Sequence, residues 1–296
     1  MTRLREYVIA TRPWSFSMSV ISVALGTLIA SEHVPIAWLP FLAVVVGVVL
    51  VHAAGNVLND YFDTKSHVDQ ADTGTVNYRP HPVFAGLMTP RAVLVEGLGL
   101  LTAAAGIGVW LAVTRTALVF WIALAGLALT VFYTGGPIKL KYRALGEAAV
   151  FAIWGPLQFQ GAYAVQAGGL SVDALVASIP FGVLVALVLF ANNIRDIDHD
   201  KRVGIRTVAI ALGRHRSLAA FTALMLSAYV YVVAAVALGA LSAWSLLVFL
   251  SLPTAIGLLR GFRVSFPEMA DALTAKLDTV FGVLFVVALL LHRVVR

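Results

Sequence analysis

The sequence predicts an all-α protein that crosses a membrane many times. Of its 296 residues, 60% are hydrophobic and only 12% are charged, and the mean hydropathy is +0.91. Apolar runs long enough to cross a bilayer recur along the chain. A backbone inside a bilayer must satisfy its own hydrogen bonds, which an α-helix does internally. We therefore expect a polytopic bundle of nine transmembrane helices.

Nine apolar runs correspond to the nine predicted helices. They cover roughly residues 13–31, 35–58, 91–113, 116–137, 146–168, 172–194, 217–239, 242–260 and 274–292. We expect the first run to be retained, because Arg12 and Pro13 precede it, no cleavage site of small residues follows, and a second run comes at once. No soluble module or linker separates the runs, so residues 1–296 are expected to form a single membrane-embedded domain.

The positive charges predict the orientation of the bundle. With the N-terminus inside, all of the 21 Lys and Arg residues except Arg115, Arg293 and Arg296 fall in inside segments. Cytoplasmic loops carry such an excess of Lys and Arg. We therefore expect a cytoplasmic N-terminus. The net charge of +6 reflects this topology, and nucleic-acid binding is not expected because there is no basic soluble module.

Acidic residues are concentrated at two places, each directly after an apolar run. The first cluster contains Asp60, Asp63, Asp69 and Asp72, and the second contains Asp196, Asp198 and Asp200. The clusters share a spacing, Asn56-x-x-x-Asp60-x-x-Asp63 and Asn192-x-x-x-Asp196-x-x-x-Asp200. Positions three and four apart lie on one face of a helix, so each helix end presents an amide and two carboxylates together. Because the clusters are four helices apart, we expect two four-helix halves plus a ninth helix, with the clusters facing each other across a central cavity.

Clustered carboxylates repel one another unless a cation holds them. Mg²⁺ typically binds one or two carboxylates together with substrate phosphates, and basic side chains hold further phosphate oxygens. Bases flank both clusters, namely Lys65, Arg79, Lys201, Arg202 and Arg206. This pattern predicts a site for a lipid diphosphate bridged by Mg²⁺, on the cytoplasmic side of the membrane. Solvated loops that only cap helices are the ordinary alternative, but two matching clusters on one side favour a site.

A divalent-cation transporter is a second alternative from a different functional class. Such a protein also has intramembrane acidic groups and internal repeats. Its carboxylates should lie near the middle of the bilayer, whereas these lie at helix ends beside bases. That position favours a phosphate ligand over a bare cation.

The two clusters resemble the paired aspartate-rich motifs of the UbiA superfamily of intramembrane prenyltransferases. The resemblance is carried by "NDYFDTKSHVD" (59–69) and "NNIRDIDHDKRVGIRT" (192–207). Two further segments, "TRPWS" (11–15) and "YTGGPIKLKYRALGE" (133–147), resemble the 1,4-dihydroxy-2-naphthoate prenyltransferase (MenA-like) branch.

The resemblance implies a Mg²⁺-dependent transfer of a polyprenyl group from a polyprenyl diphosphate to an aromatic acceptor, in contact with membrane lipid. In the naphthoate branch the acceptor is 1,4-dihydroxy-2-naphthoate, which loses CO₂, and the product serves menaquinone synthesis. Other branches use 4-hydroxybenzoate or a glycerol-phosphate lipid. The cation formed from the allylic donor must be sheltered from water, so a side opening to lipid is expected for the long tail.

The resemblance also assigns roles to residues. Two Mg²⁺ ions are expected, one on Asn56, Asp60 and Asp63 and the other on Asn192, Asp196 and Asp200, with the four carboxylates Asp60, Asp63, Asp196 and Asp200 essential for catalysis. Residues expected to bind substrate are Arg12, Lys65, Arg79, Tyr133, Lys139, Lys141, Lys201 and Arg206. Asp69 is expected to support the first motif from outside the metal set. His52 lies near the site, where a lone histidine is more often structural.

Overall fold

The computed structural model describes residues 3–70 and 80–295, and all regular elements in these two ranges are helical. The α-helices, numbered in chain order, are α1 (Arg3–Ala10), α2 (Phe16–Ala30), α3 (Trp38–Lys65), α4 (Pro90–Thr114), α5 (Ala117–Thr134), α6 (Gly146–Ala152), α7 (Gln158–Ala167), α8 (Val172–Arg195), α9 (Ile197–Arg202), α10 (Val208–Ala237), α11 (Leu252–Val264) and α12 (Ala270–Val295). Short 3₁₀ segments cover Pro13–Ser15, Leu140–Tyr142 and Ala243–Ser251, and a π turn covers Ile153–Leu157. The predicted all-α class is confirmed.

Eight helical stretches in the described ranges are long and apolar enough to cross a membrane. They are Pro13–Ala30, Trp38–Lys65, Pro90–Thr114, Ala117–Thr134, Val172–Arg195, Val208–Ala237, Ala243–Val264 and Ala270–Val295. Each of them overlaps one of the nine predicted runs, so the polytopic architecture is confirmed. The number nine is not, because the remaining run does not form a single long helix.

That remaining run, 146–168, is helical but broken in the middle. It consists of α6, the π turn and α7 in succession. Pro156 has no backbone N–H to donate, and Gly155 has φ −87° and ψ −108°, far from helical values. The break lies beside the cavity described below, and side chains at the break line that cavity.

Helix α2 lies at the centre of the bundle. It packs against α3, α7, α8 and α12, so the first and last spanning helices touch and the bundle closes. The main core includes Leu25, Phe159, Phe181, Phe281 and Phe285, all fully buried. Close packing rather than exclusion of water holds helices together in lipid. Of the first predicted half, α2 contributes to this core, whereas α3, α4 and α5 pack in smaller separate clusters.

Three loops meet at one end of the bundle and assemble the candidate site. The amide of Arg206 donates to Tyr142 O (3.1 Å), and the amide of Ala144 donates to Arg206 O (2.9 Å). His199 of α9 contacts Val68 O through Nε2 at 2.7 Å. The segment after α5 and the loop after α3 are therefore both fastened to the region around α9.

The second acidic motif does not lie on one straight helix. Helix α8 ends at Arg195, and Asp196 has φ −92° and ψ 9° before α9 begins. Backbone hydrogen bonds from Asp196 N to Asn192 O (3.1 Å) and from Asp200 N to Asp196 O (2.8 Å) preserve the helical spacing. The expectation of one shared helix face is therefore corrected, because the backbone turns at Asp196.

Candidate active site

Asp60 lies near the end of α3, inside the protein. Its side chain is fully buried and forms an ion pair with Arg12, which precedes α2. Burying a carboxylate without a positive partner costs several kcal/mol or more. Arg12 therefore offsets the cost of placing Asp60 there. It also fixes the N-terminal segment against α3.

Asp63, one turn further along α3, accepts three hydrogen bonds. Asn59 Nδ2 donates at 2.9 Å, Lys141 Nζ donates at 2.6 Å, and the Tyr142 hydroxyl donates as well. Burial alone would lower the pKa of Lys141, but the Asp63 carboxylate raises it well above its ordinary value. Lys141 is therefore a permanent positive charge in the site.

Asp69 lies closer to Asp60 than its place in the sequence indicates. One ligand atom each from Asp60, Asp69 and His81 lies within 4.8 Å of the others, and all three side chains are buried. The backbone amides of Val83 and Phe84 point at His81 Nδ1, at 3.2 and 3.3 Å. Nδ1 is therefore the acceptor nitrogen, and Nε2 carries the proton that faces Asp69 at 3.3 Å. His81 thus packs against Asp69, and the two carboxylates are the oxygen donors of this group of three side chains.

The negative charge of Asp69 suits an oxygen donor for a metal ion. Burial raises the pKa of Asp69, but the contacts with His81 and the charge of Lys141 outweigh burial, so the pKa lies below its ordinary value. Oxygen ligands of this kind are the ones that Mg²⁺ prefers. The Asp60 and Asp69 carboxylates are therefore close enough together to fit a divalent ion.

Asp200 brings the second motif close to the first. Its side chain is buried, and burial raises the pKa of Asp200 to about 7. Lys141 opposes this rise, whereas the charges of Asp196 and Asp63 add to it. Both motifs therefore lie within electrostatic range of the same lysine, as expected for clusters that face each other.

Asp196 is held by Arg195, a residue that the sequence pattern did not single out. Two guanidinium nitrogens each lie 2.8 Å from one carboxylate oxygen of Asp196, in a fork. Arg195 also donates to Asn192 Oδ1, to Glu268 O (2.8 Å) and to Asp271 (3.2 Å). It thereby joins the end of α8 to the start of α12. From the sequence, Arg195 was only one of the positive charges that predict the cytoplasmic side.

A central cavity of about 250 Å³ opens beneath these charges. Its polar end is lined by Arg12, Asn56, Asn59, Asp63, Asp69, Lys141, Asn192 and Asp271. Its walls further in are lined mainly by apolar and aromatic side chains, including Met18, Val51, Tyr133, Ile153, Trp154, Val185 and Leu189. The cavity is therefore charged at one end and apolar along its walls.

His52 on α3 lies between these two regions and forms a directional chain of hydrogen bonds. The Ser15 hydroxyl donates to Arg12 O (2.8 Å), so it accepts from His52 Nε2 at 3.1 Å. Nδ1 is then the acceptor for the Ser19 hydroxyl at 2.9 Å, and that hydroxyl oxygen accepts from Trp154 Nε1 at 3.0 Å. The histidine thus ties the Arg12 segment to the aromatic wall, in agreement with the expected structural role.

Asn56 faces the cavity in a fixed orientation. Its Nδ2 donates to Thr11 O (2.9 Å) and Ser15 Oγ (3.3 Å). Because the amide nitrogen points at the N-terminal segment, Oδ1 is the atom that can face an ion. The role of Asn56 as a metal ligand stays a prediction.

Four residues predicted to bind substrate lie outside the cavity lining. Lys65 is exposed, with Nζ 5.8 Å from the centre of the Tyr61 ring, and Lys139 Nζ lies 5.6 Å from the Tyr142 ring. Lys201 and Arg206 are exposed at the same end of the bundle. Tyr133, in contrast, lines the cavity. Arg79 and Asp72 lie outside the described residues.

A known protein family matches most of the chain. Residues 19–290 match the UbiA prenyltransferase family. The chain belongs to this family. It is therefore an integral membrane protein of the prenyltransferase class, as the paired motifs predicted.

Two relatives support the family assignment, and one solved structure shares the fold. The chain is 31% identical over 285 residues to 1,4-dihydroxy-2-naphthoate octaprenyltransferase of Bacillus subtilis (strain 168), covering 95% of this chain and 91% of the relative. It is 34% identical over 294 residues to UbiA prenyltransferase domain-containing protein 1 of Danio rerio, covering 98% and 85%. A UbiA homolog from Archaeoglobus fulgidus, solved bound to GPP and Mg²⁺, shares the fold with a TM-score of 0.68 and 13% identity over 96% of this chain and 99% of that one.

Proposed function

We propose that the protein transfers a polyprenyl group from a polyprenyl diphosphate to 1,4-dihydroxy-2-naphthoate, with loss of CO₂. The observation that carries the proposal is the central cavity, which has carboxylates and cations at one end and apolar walls behind them. A polyprenyl diphosphate has the same division, an anionic head and a hydrocarbon tail. The naphthoate acceptor follows the relative from Bacillus subtilis and the segments at 11–15 and 133–147.

The head group would bind at the charged end of the cavity. Arg12 and Lys141 line the cavity and contact the carboxylates of the first motif, so they can hold phosphate oxygens beside a metal ion. Asn56, Asp60, Asp63 and Asp69 would hold one Mg²⁺, and Asn192, Asp196 and Asp200 the other. When bound, Mg²⁺ supplies positive charge that stabilises the departing diphosphate.

The cavity walls would protect the reacting carbon from water. Trp154 and Tyr133 line the cavity beside apolar side chains, and aromatic faces attract a cation. When the bond between C1 of the donor and oxygen breaks, the electron pair leaves with the diphosphate. A dry aromatic wall at that point favours reaction of the prenyl cation with the acceptor over its reaction with water.

The acceptor would lie against the inner part of the cavity. Gln158 Oε1 is buried there without a hydrogen-bond partner in the described protein, and a phenolic O–H would satisfy it. The acceptor carbon that carries the carboxylate attacks C1. The bond to the carboxylate then breaks, its electron pair returns to the ring, and CO₂ leaves. This sequence requires no base, and His52, whose two ring nitrogens are engaged, supplies none.

We further propose that the single domain places this site on the cytoplasmic side. The loops that assemble the site belong to the inside segments, which carry all of the Lys and Arg residues except Arg115, Arg293 and Arg296, as cytoplasmic loops do. Arg115, one of the three exceptions, lies at the other end of the bundle, where it donates to Val165 O (2.6 Å) and Gln166 O (3.0 Å).

A two-label assay with purified protein tests the acceptor. The donor carries one label in the prenyl group, and 1,4-dihydroxy-2-naphthoate carries another in its carboxyl group. We expect prenylated product and CO₂ in equal amounts, and preference for the naphthoate when 4-hydroxybenzoate or a glycerol-phosphate lipid competes. A product formed only with one of those competitors would contradict the acceptor while leaving the donor site in place.

A further inference from the structure

A second cavity, of about 130 Å³, lies beside the first between α3, α4, α5 and α7. Its lining is apolar except for Gln158, and it includes side chains such as Val44, Ile107, Leu111 and Ile122. A cavity lined in this way offers no polar partners to water, and apolar cavities stay dry or take apolar ligands. None of the steps described above uses this space.

The two cavities adjoin. Val51, Ile153 and Gln158 line both of them. Along α3, the second cavity extends from Val51 to Val44, away from the acidic end of that helix. Seven residues of helix correspond to about 10 Å. The second cavity therefore continues the first in the direction opposite to the diphosphate site.

Glycines keep the second cavity wide. Four of them line it, Gly47, Gly108, Gly126 and Gly161. A Cβ atom at Gly161 would lie 3.3 Å from Ile122, whereas a Cβ atom at Gly126 would have no atom within 4 Å. Gly126 on α5 thus borders open space that a larger side chain can occupy without displacing its neighbours.

We infer that the second cavity receives part of the isoprenoid tail of the donor and that Gly126 sets the tail length which the enzyme accepts. The inference rests on the proposed function. An isoprenoid tail has no polar atoms, so it suits a wall of apolar side chains and glycines. The occupant is a donor tail because the space adjoins the cavity that would hold the diphosphate.

The test compares Gly126→Leu with Gly106→Leu. Gly106 on α4 is exposed, lines neither cavity and also has no atom within 4 Å of an added Cβ. It therefore controls for the helical substitution itself. We expect Gly126→Leu to lower kcat/KM for octaprenyl diphosphate about tenfold or more, since a few lost methylene contacts have this effect. The value for geranyl diphosphate should change less than about twofold.

A labelling experiment tests occupancy without turnover. The chain contains no cysteine, so Gly126→Cys and Gly106→Cys each introduce a single thiol. Octaprenyl diphosphate should slow modification of Gly126→Cys by N-ethylmaleimide at least about tenfold, geranyl diphosphate should not, and Gly106→Cys should be unaffected by either.

The outcomes separate this inference from the proposed function. If the unmodified protein turns over neither donor with any acceptor, the proposed function is wrong. If it turns over both donors while Gly126→Leu keeps the same ratio between them, or loses both equally, the tail site is wrong. Protection of Gly126→Cys that does not depend on the donor would assign the cavity to a lipid acyl chain instead.

Discussion

At the scale of single residues, the site concentrates five carboxylates that are almost fully buried. These are Asp60, Asp63, Asp69, Asp196 and Asp200. Ionised groups are expensive to bury, and such groups in membrane proteins mark function. Cations and hydrogen-bond donors surround them, but the arrangement still holds more negative than positive charge at its centre. A divalent ion would complete it.

The carboxylates should differ in importance according to their positions. We expect Asp60→Asn and Asp69→Asn each to lower kcat/KM about 100-fold and to raise the Mg²⁺ concentration needed, because each would remove a carboxylate from the proposed metal site. Asp173→Asn, in the first turn of α8 at the other end of the bundle, should stay within about twofold of the unmodified protein. If Asp69→Asn resembles Asp173→Asn when Mg²⁺ is titrated, Asp69 is not a ligand.

His52 should act as a positioning residue. His52→Ala removes the link between Ser15 and Ser19, so we expect kcat to fall about tenfold through misplacement of Arg12 and Trp154. His52→Gln keeps one donor and one acceptor and should recover much of the loss. The pH profile of kcat should have the same shape in both variants. A profile that loses one limb in His52→Ala would show instead that the histidine exchanges a proton.

The raised pKa of Asp200 predicts how the stability of the metal-free protein changes with pH. The pKa of Asp200 is about 7 in the folded protein and 3.8 without the fold. Between these values the folded state holds a proton that the unfolded state has released, so this residue makes the metal-free protein less stable as pH rises from about 4 to about 7. We expect Asp200→Asn to raise the unfolding temperature in EDTA, with a gain over the unmodified protein that grows from pH 5 to pH 7.5. A gain that shrinks with pH would contradict the raised pKa.

At the scale of elements, α8 makes a close backbone contact with the broken segment 146–167. A Cβ atom at Gly182 would lie 2.9 Å from Gly155 Cα and 3.2 Å from Phe151 O, so backbone meets backbone there. We expect Gly182→Ala to destabilise the protein by about 1–3 kcal/mol through overpacking. Gly99→Ala, on a helix surface with no neighbour within 4 Å, should be neutral or slightly stabilising. Equal unfolding temperatures for the two variants would show that α8 can shift at no cost.

The elements also mark where sequence reasoning succeeded and where it stopped. The long apolar runs predicted where the spanning helices lie, because burial in lipid leaves a strong compositional signal, but α3 extends seven residues beyond its run and α10 begins nine residues before its run. The break at Gly155 and Pro156 was not predicted, because the apolar run continues through it. The turn at Asp196 was missed for a similar reason, since an i, i+4 pattern does not register a change in backbone direction.

At the scale of the whole molecule, the site depends on contacts between distant segments. The motif spacing predicted the carboxylates on α3 and the region around α9, but not their partners. Lys141 reaches Asp63 because the backbone of Tyr142 and Ala144 is bonded to Arg206. The contact of His81 with Asp69 also depends on the tertiary structure, and no local sequence pattern predicts it. Arg195 was visible beside the second motif, where its adjacency to Asp196 was the available signal.

The central claim is that the two acidic motifs form a metal-dependent diphosphate site above an apolar cavity. The most direct test measures prenyl transfer and CO₂ release by the purified protein, first in EDTA and then during titration with Mg²⁺. We predict no product in EDTA, recovery of both products together as Mg²⁺ is added, and recovery with Mn²⁺ as well. Full turnover in EDTA would contradict the claim.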